Sequence, residues 1–157
     1  MNNIIEQFYS AFQQLDAEKM ADLYHPEIEF EDPAFGKLKG DKAKNMWRML
    51  CQSSKELKIT FSNIQIDSEK GTANWEAEYI FSKTDRKVHN IIKADFEFKD
   101  GKIIKHKDNF NLHKWASQAF GLKGVFLGWT PLFKSKLNKE TNKLLDIYER
   151  RNKLSSN

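Results

Sequence analysis

The chain has 157 residues, 39% of them apolar and 31% charged, with a formal net charge of +4. This is enough chain for one domain with a real core. No run approaches the ~18 apolar residues of a membrane span, and a single cysteine, Cys51, excludes an internal disulfide framework. The lysines are scattered rather than massed on one helix, which predicts a solvated surface and no nucleic-acid partner. A lone cysteine suits a reducing compartment, and no N-terminal stretch combines a basic end, an apolar run and a cleavage site. A cytoplasmic protein with no membrane partner is expected. Aromatics reach 13%, with twelve Phe and four Trp; they point to a bulky core or to an aromatic-lined cavity.

In chain order, Ile4, Ile5, Phe8, Tyr9, Phe12 and Leu15 recur at three- and four-residue intervals, the period of an amphipathic helix. A second, short helix capped by Asp16 buries Met20, Leu23 and Tyr24. It ends at His25-Pro26, because a residue before proline is pushed out of the helical region. Ile28 to Asp32 reads as a strand stopped by Pro33. A third helix, capped by Asp41, turns Ala43, Met46, Trp47 and Leu50 inward, with Cys51 as a packing thiol.

After residue 54 the period changes to two. Leu57, Ile59 and Phe61 alternate with polar residues, as do Ala73, Trp75, Ala77, Tyr79 and Phe81. The run from Lys93 to Lys99 turns at Asp100-Gly101, a tight-turn signal, into a last strand. Helices followed by consecutive long strands predict an α+β domain, an antiparallel sheet with helices on one face. Beyond Trp115 a helix through Ala116 to Phe120 is stopped by Gly121. A closing helix is expected with Asn138 as its cap. Between them Val125, Phe126, Leu127, Trp129 and Phe133 carry more apolar surface than water tolerates, so this segment is expected to dock.

The candidate chemistry lies on the last strand, where Ile104, His106, Asp108, Phe110 and Leu112 share one face. An ionisable group in an apolar stripe is costly to bury without a partner or a task. Asp108 and His106 are therefore candidate catalytic residues, with a purely structural carboxylate as the alternative. Asp32 is a third candidate, or a simple turn cap before Pro33. Phe8, Phe12, Trp47, Trp75, Tyr79 and Phe110 are core residues, and pocket walls if the interior is open. No His-x-His or Glu-x-x-His spacing marks a metal site, and neither a metal nor another cofactor is expected.

The order of elements, with the motifs Phe30-Glu31-Asp32-Pro33 and Gly101 to Gly124, resembles the nuclear transport factor 2-like superfamily. That superfamily includes ketosteroid isomerases, limonene-epoxide hydrolases and SnoaL-like polyketide cyclases. The resemblance implies a cone-shaped curved antiparallel sheet wrapped around the N-terminal helices, open at one end to a small apolar molecule. It covers about residues 4 to 124 and implies a domain over residues 1–124; the segment 125–157 lies outside it and is expected to pack on the same domain. The resemblance also implies a homodimer through the outer sheet face, where the alternation places Glu76, Glu78, Lys93 and Asp95.

Residue by residue, Asp32 lies where ketosteroid isomerases carry their general base. Phe8 and Ala94 stand where those enzymes carry the tyrosine and protonated aspartic acid that stabilise the enolate, so that activity is disfavoured. Asp108 matches the acid that protonates the epoxide in limonene-epoxide hydrolases, and polyketide cyclases also place an aspartate on this strand. The hydrolases' water-activating arginine has no counterpart, Glu76-Ala77-Glu78 offering acids alone. Their first-strand tyrosine and asparagine become Phe30 and Asp32. The resemblance thus implies binding of a small apolar or carbonyl compound and cofactor-free acid–base chemistry of the isomerase, cyclase or epoxide-hydrolase type. The alternative is a non-catalytic ligand-binding or protein-interaction module of the same fold.

Overall fold

The structure, a computed structural model, describes residues 3–156. Helix α1 (Ile4–Gln13) starts where the Asn3 side chain accepts a bond from the Glu6 amide, and it buries Ile5, Phe8, Tyr9 and Phe12 on one stripe. Helix α2 (Ala17–Leu23) is capped by Asp16, whose carboxylate accepts from the Lys19 amide. Tyr24 already belongs to strand β1 (Tyr24–Asp32), not to that helix. Strand β2 (Gly36–Lys39) folds back on β1 through a turn in which Gly36 takes a φ of 73°. This short strand has no signature in the alternation. Helix α3 (Asp41–Ser53) has Gly40 as its cap and Asp41 in its first turn, one residue from the expected arrangement.

Strands β3 (Lys55–Ile66), β4 (Lys70–Phe81), β5 (Arg86–Lys99) and β6 (Lys102–Asn109) follow as a meander. The single sheet has the order β2-β1-β6-β5-β4-β3. The fold is α+β, but the cone-shaped antiparallel sheet expected from the sequence does not form. Strands β1 and β6 run parallel, so the sheet is mixed. It is also open, its edges β2 and β3 pairing only with β1 and β4. Alternation reveals which side chains share a face but carries no information on strand direction, which is why the parallel pair escaped a sequence reading.

One side of the sheet packs on α1–α3. Ile28, Phe30, Leu38, Ile59, Ala73, Trp75, Ala77, Ile92, Ala94, Phe96 and Ile103 meet Ile5, Phe8, Tyr9, Phe12, Met46 and Trp47 in one core. A bulge adjusts the last strand. Phe98 faces Ile103 while Glu97 faces Lys105, so Ile104 is the extra residue. Ile103 is therefore the buried residue before His106 and Asp108, where strict alternation pointed to Ile104.

Helices α4 (Leu112–Phe120), α5 (Leu122–Leu127) and α6 (Pro131–Ser155) complete the chain. Gly121, with a φ of 64°, ends α4. Helix α6 is capped by Thr130, eight residues before the expected Asn138. Asn138 sits inside the helix and donates to the carbonyls of Pro33 and Ala34, at 2.9 and 2.7 Å. Thr141 and Asn142 add bonds to Ala34 and Phe35, and Lys42 pairs with Asp146 at 2.8 Å. The long helix thus docks across the β1–β2 turn largely through polar contacts.

The apolar run before it does not dock as expected. Val125, Phe126, Leu127 and Trp129 are exposed, and Phe133 alone of the five packs inward, against Phe120. The reason lies in the glycines. A Cβ at Gly124 would overlap the Ala116 carbonyl, and one at Gly128 would press on Ala116 and Gly124. These glycines let backbone meet backbone between α4 and α5, and the large side chains face away. Gly124→Ala should therefore destabilise the fold by about 1–3 kcal/mol, the cost of overpacking; a lowered urea midpoint at unchanged slope is the expected measurement.

Candidate functional site

Five buried side chains of the core form one continuous hydrogen-bonded chain. Trp47 Nε1 donates to the Tyr24 hydroxyl at 2.8 Å. That hydroxyl lies 2.7 Å from His106 Nδ1, and His106 Nε2 lies 3.0 Å from Asp108 Oδ1. Trp75 Nε1 donates to the same Asp108 oxygen at 3.1 Å. Because Tyr24 accepts from Trp47, its own hydrogen must go to His106 Nδ1. With Nδ1 accepting, Nε2 carries the hydrogen and donates to the Asp108 carboxylate. Both residues are almost fully buried.

Aromatic rings enclose this chain. The rings of Phe8, Phe30 and Trp47 lie 5.4, 5.3 and 5.9 Å from that of His106. Phe96 approaches to 4.4 Å, and Phe12 bridges Trp47 and Trp75 at 5.1 and 5.7 Å. Ala94 faces Asp108 across the β5–β6 ladder. So His106, Asp108, Phe8, Phe12, Trp47, Trp75 and Ala94 come together, and the rings fill the space among them.

Sequence reasoning missed two members of this region. Tyr24 links Trp47 to His106 from strand β1, where the helical reading hid it. Tyr9 stacks at 5.7 Å on Phe61 and 5.6 Å from Trp75. Its hydroxyl is the one buried side-chain polar atom among the described residues that has no hydrogen-bond partner. Burial pushes both phenols well above their usual range, and the charge of Asp108 adds to it.

Asp32 stands at the end of β1, where its Oδ1 accepts from the amides of Ala34 and Phe35 at 2.9 and 2.6 Å. This is the turn-capping role foreseen as its alternative. Its other oxygen bonds to no described group. Some solvent reaches the side chain, yet burial pushes its carboxyl up to about 7, helped by the negative charge of Asp108 and opposed by the two amides. Tyr79, whose hydroxyl accepts from Trp115 Nε1 at 2.8 Å, feels the charge of Asp32 as well. Phe110 packs against the main core and against the smaller cluster around Trp115. Asp32, Tyr79 and Phe110 thus lie toward α4 and α6, at the rim of the aromatic core.

A groove of about 380 Å³ lies elsewhere, on the outer face of the sheet, among charges such as Glu29, Lys39, Glu97 and Lys105. These already pair with each other, Lys39 with Glu29 at 3.1 Å and Lys105 with Glu97 at 3.0 Å. Exposed pairs of this kind carry little energy, so the buried chain with its Asp32 rim is the stronger candidate. Among the described residues no three His, Cys, Asp or Glu side chains gather as a metal site. Burial pushes the Cys51 thiol up to about 11, which leaves it unreactive.

Two tyrosines give a direct test. Tyr24→Phe strands Trp47 Nε1 and His106 Nδ1, and should cost about 1–3 kcal/mol for each group left unpaired. Tyr9→Phe removes a hydroxyl that has no partner, and should leave the thermal midpoint unchanged or raise it. Asp32→Asn should stabilise the protein at high pH. The folded-state pKa of Asp32, about 7, exceeds its unfolded value, so the aspartate disfavours folding progressively from pH 4 to 7 and fully above. The gain above pH 7 should be about 1–3 kcal/mol, less than full linkage because the side chain is partly solvated, and should vanish near pH 4 in denaturation profiles.

The SnoaL-like domain model matches residues 5–106. Among curated proteins nothing matches the chain. Solved structures share the fold at low identity. A hypothetical protein with a ketosteroid isomerase-like fold from Catenulispora acidiphila, in complex with trimethylamine, is 14% identical with a TM-score of 0.67, over 82% of this chain and 97% of that one. An epoxide hydrolase of the limonene-epoxide type from Mycobacterium tuberculosis is 19% identical with a TM-score of 0.61, over 82% and 91%. A nuclear transport factor 2-like protein of unknown function from Burkholderia pseudomallei is 12% identical with a TM-score of 0.64, over 75% and 95%.

Proposed function

We propose that this chain, which belongs to the SnoaL-like domain family, binds a small apolar or carbonyl-bearing molecule at the Asp32 rim and acts on it by cofactor-free acid–base chemistry. The observation that carries the reading is Asp32 itself. A carboxyl with a pKa of about 7 is half-ionised at neutral pH, the best compromise between being available as a base and being strong enough as one. One of its oxygens is held by two amides, which orients the other. Asp108 raises the pKa from inside, and its own bonds to His106 and Trp75 keep it in place. In this reading Asp32 moves the proton, while Asp108 and His106 position and polarise. Phe110 and Tyr79 supply the apolar wall.

A second reading is supported by the packing. The rings of Phe8, Phe12, Trp47 and Trp75 lie within 5.1–6.4 Å of one another in successive pairs, a filling that suits a binding or interaction module without turnover.

Cyclic ketones and small epoxides, screened by thermal shift and then assayed for isomerisation or hydrolysis, separate the two. A ligand at 100 times its dissociation constant adds ~2.7 kcal/mol of stability. Under the first reading turnover rises with pH through about 7 and is lost in Asp32→Asn, while the fold is kept. Binding without turnover, equal in Asp32→Asn, would establish the second.

A further inference from the structure

The segment from α5 into the start of α6 presents an unusual arrangement of side chains. A surface helix ordinarily turns its large apolar residues inward and its small or polar ones outward. Here the inward positions are Gly124 and Gly128, set tightly against α4. Leu122, Phe126, Trp129 and Leu132 face out, with 75, 70, 69 and 79% of their surfaces accessible, and Val125 and Leu127 join them. His113 Nε2 bonds to the Val125 carbonyl at 2.8 Å, and Thr130 caps the next helix. The segment is therefore held in place by its backbone with its apolar side chains outward.

Charge completes the pattern. From residue 109 to residue 139 the chain has no Asp or Glu, while Lys114, Lys123, Lys134, Lys136 and Lys139 all lie within it. All five lysines are exposed. An apolar tip of Trp, Phe and Leu surrounded in sequence by lysines matches the boundary between acyl chains and anionic headgroups. A second copy of this chain, carrying the same +4 charge, would bring lysines against lysines. No helix among the described residues is long and apolar enough to cross a bilayer, so the contact is with the surface of one leaflet.

We propose that the α5–α6 segment is a membrane-docking surface, which sets the protein on anionic lipid through Phe126, Trp129, Leu122 and Leu132 and the lysines beside them. Docking there leaves the Asp32 rim and the buried chain chemically untouched, so it is independent of the reading of the site.

The full chain is mixed with vesicles of phosphatidylcholine alone, or with about 30 mol% phosphatidylserine, and separated by flotation. The protein should float with the anionic vesicles and not with the neutral ones. Trp47, Trp75 and Trp115 are buried, so a blue shift and quenching by brominated lipid would report Trp129 entering the bilayer. Phe126→Ser with Trp129→Ala should lower partitioning about tenfold or more at an unchanged thermal midpoint, since both side chains are exposed. Lys134→Ser with Lys136→Ser should lower it roughly fivefold per lysine, with the same loss of effect in high salt that screening imposes. Equal flotation of the wild type and the Phe126/Trp129 variant would overturn the proposal, as would failure to float with anionic vesicles. A dimer in sedimentation that disappears in the Phe126/Trp129 variant would assign the surface to a second copy and overturn it equally.

Discussion

Burying Asp108 in a core of aromatic rings is the constraint on which the rest of the structure depends. A carboxylate removed from water costs several kcal/mol unless donors replace the solvent. Here they come from two directions, Trp75 on the same face of the sheet two strands away and His106 two residues earlier on the same strand. His106 needs a partner for its second nitrogen, which brings in Tyr24, and Tyr24 brings in Trp47 from α3. The chain thereby ties β1, β4, β6 and α3 together through side chains whose donors and acceptors can be satisfied in one way. A network this complete orients its members as well as stabilising them.

The same chain explains the asymmetry between the two aspartates. Asp108 is enclosed and fully engaged on one oxygen. Asp32 lies a short way outward, where solvent is scarce but not absent and the donors are two amides of its own turn. Burial raises the carboxyl of Asp32, and the charge of Asp108 adds to it. The turn that positions Asp32 is also where α6 docks, through Asn138, Thr141 and Asn142. The C-terminal helix therefore supports the rim of the site, with Phe133 and Leu137 packing on the cluster that Tyr79 and Phe110 also join.

The tail combines two different kinds of contact. Helix α6 is held by amides and hydroxyls reaching backbone carbonyls, with Leu145 as its buried anchor. Helix α5 is held by glycines that bring its backbone close to that of α4. Neither mode consumes the large side chains between Leu122 and Leu132. Their exposure follows from how the backbone is seated and not from a lack of apolar character in the sequence.

Periodicity in the sequence was enough to determine the α+β class, the first helix, the long strands from residue 55 onward and the inward stripe carrying Asp108, because these depend on spacing along one chain. The pairing of His106 with Asp108 on one face was legible for the same reason. Strand direction was not legible, and the parallel β1–β6 pair replaced the expected antiparallel cone with an open mixed sheet. Nor was the bulge at Ile104, a matter of one unpaired residue against a partner strand. Tyr24 was assigned to a helix because His25-Pro26 follows it, yet strand pairing with Ile103 captured it for the sheet and for the buried network. The capping of α6 by Thr130 and the outward turn of Phe126 and Trp129 were likewise decided by packing against distant residues. Local propensity specifies what a segment can form; contacts between segments far apart in the chain decide which face it turns, and to what.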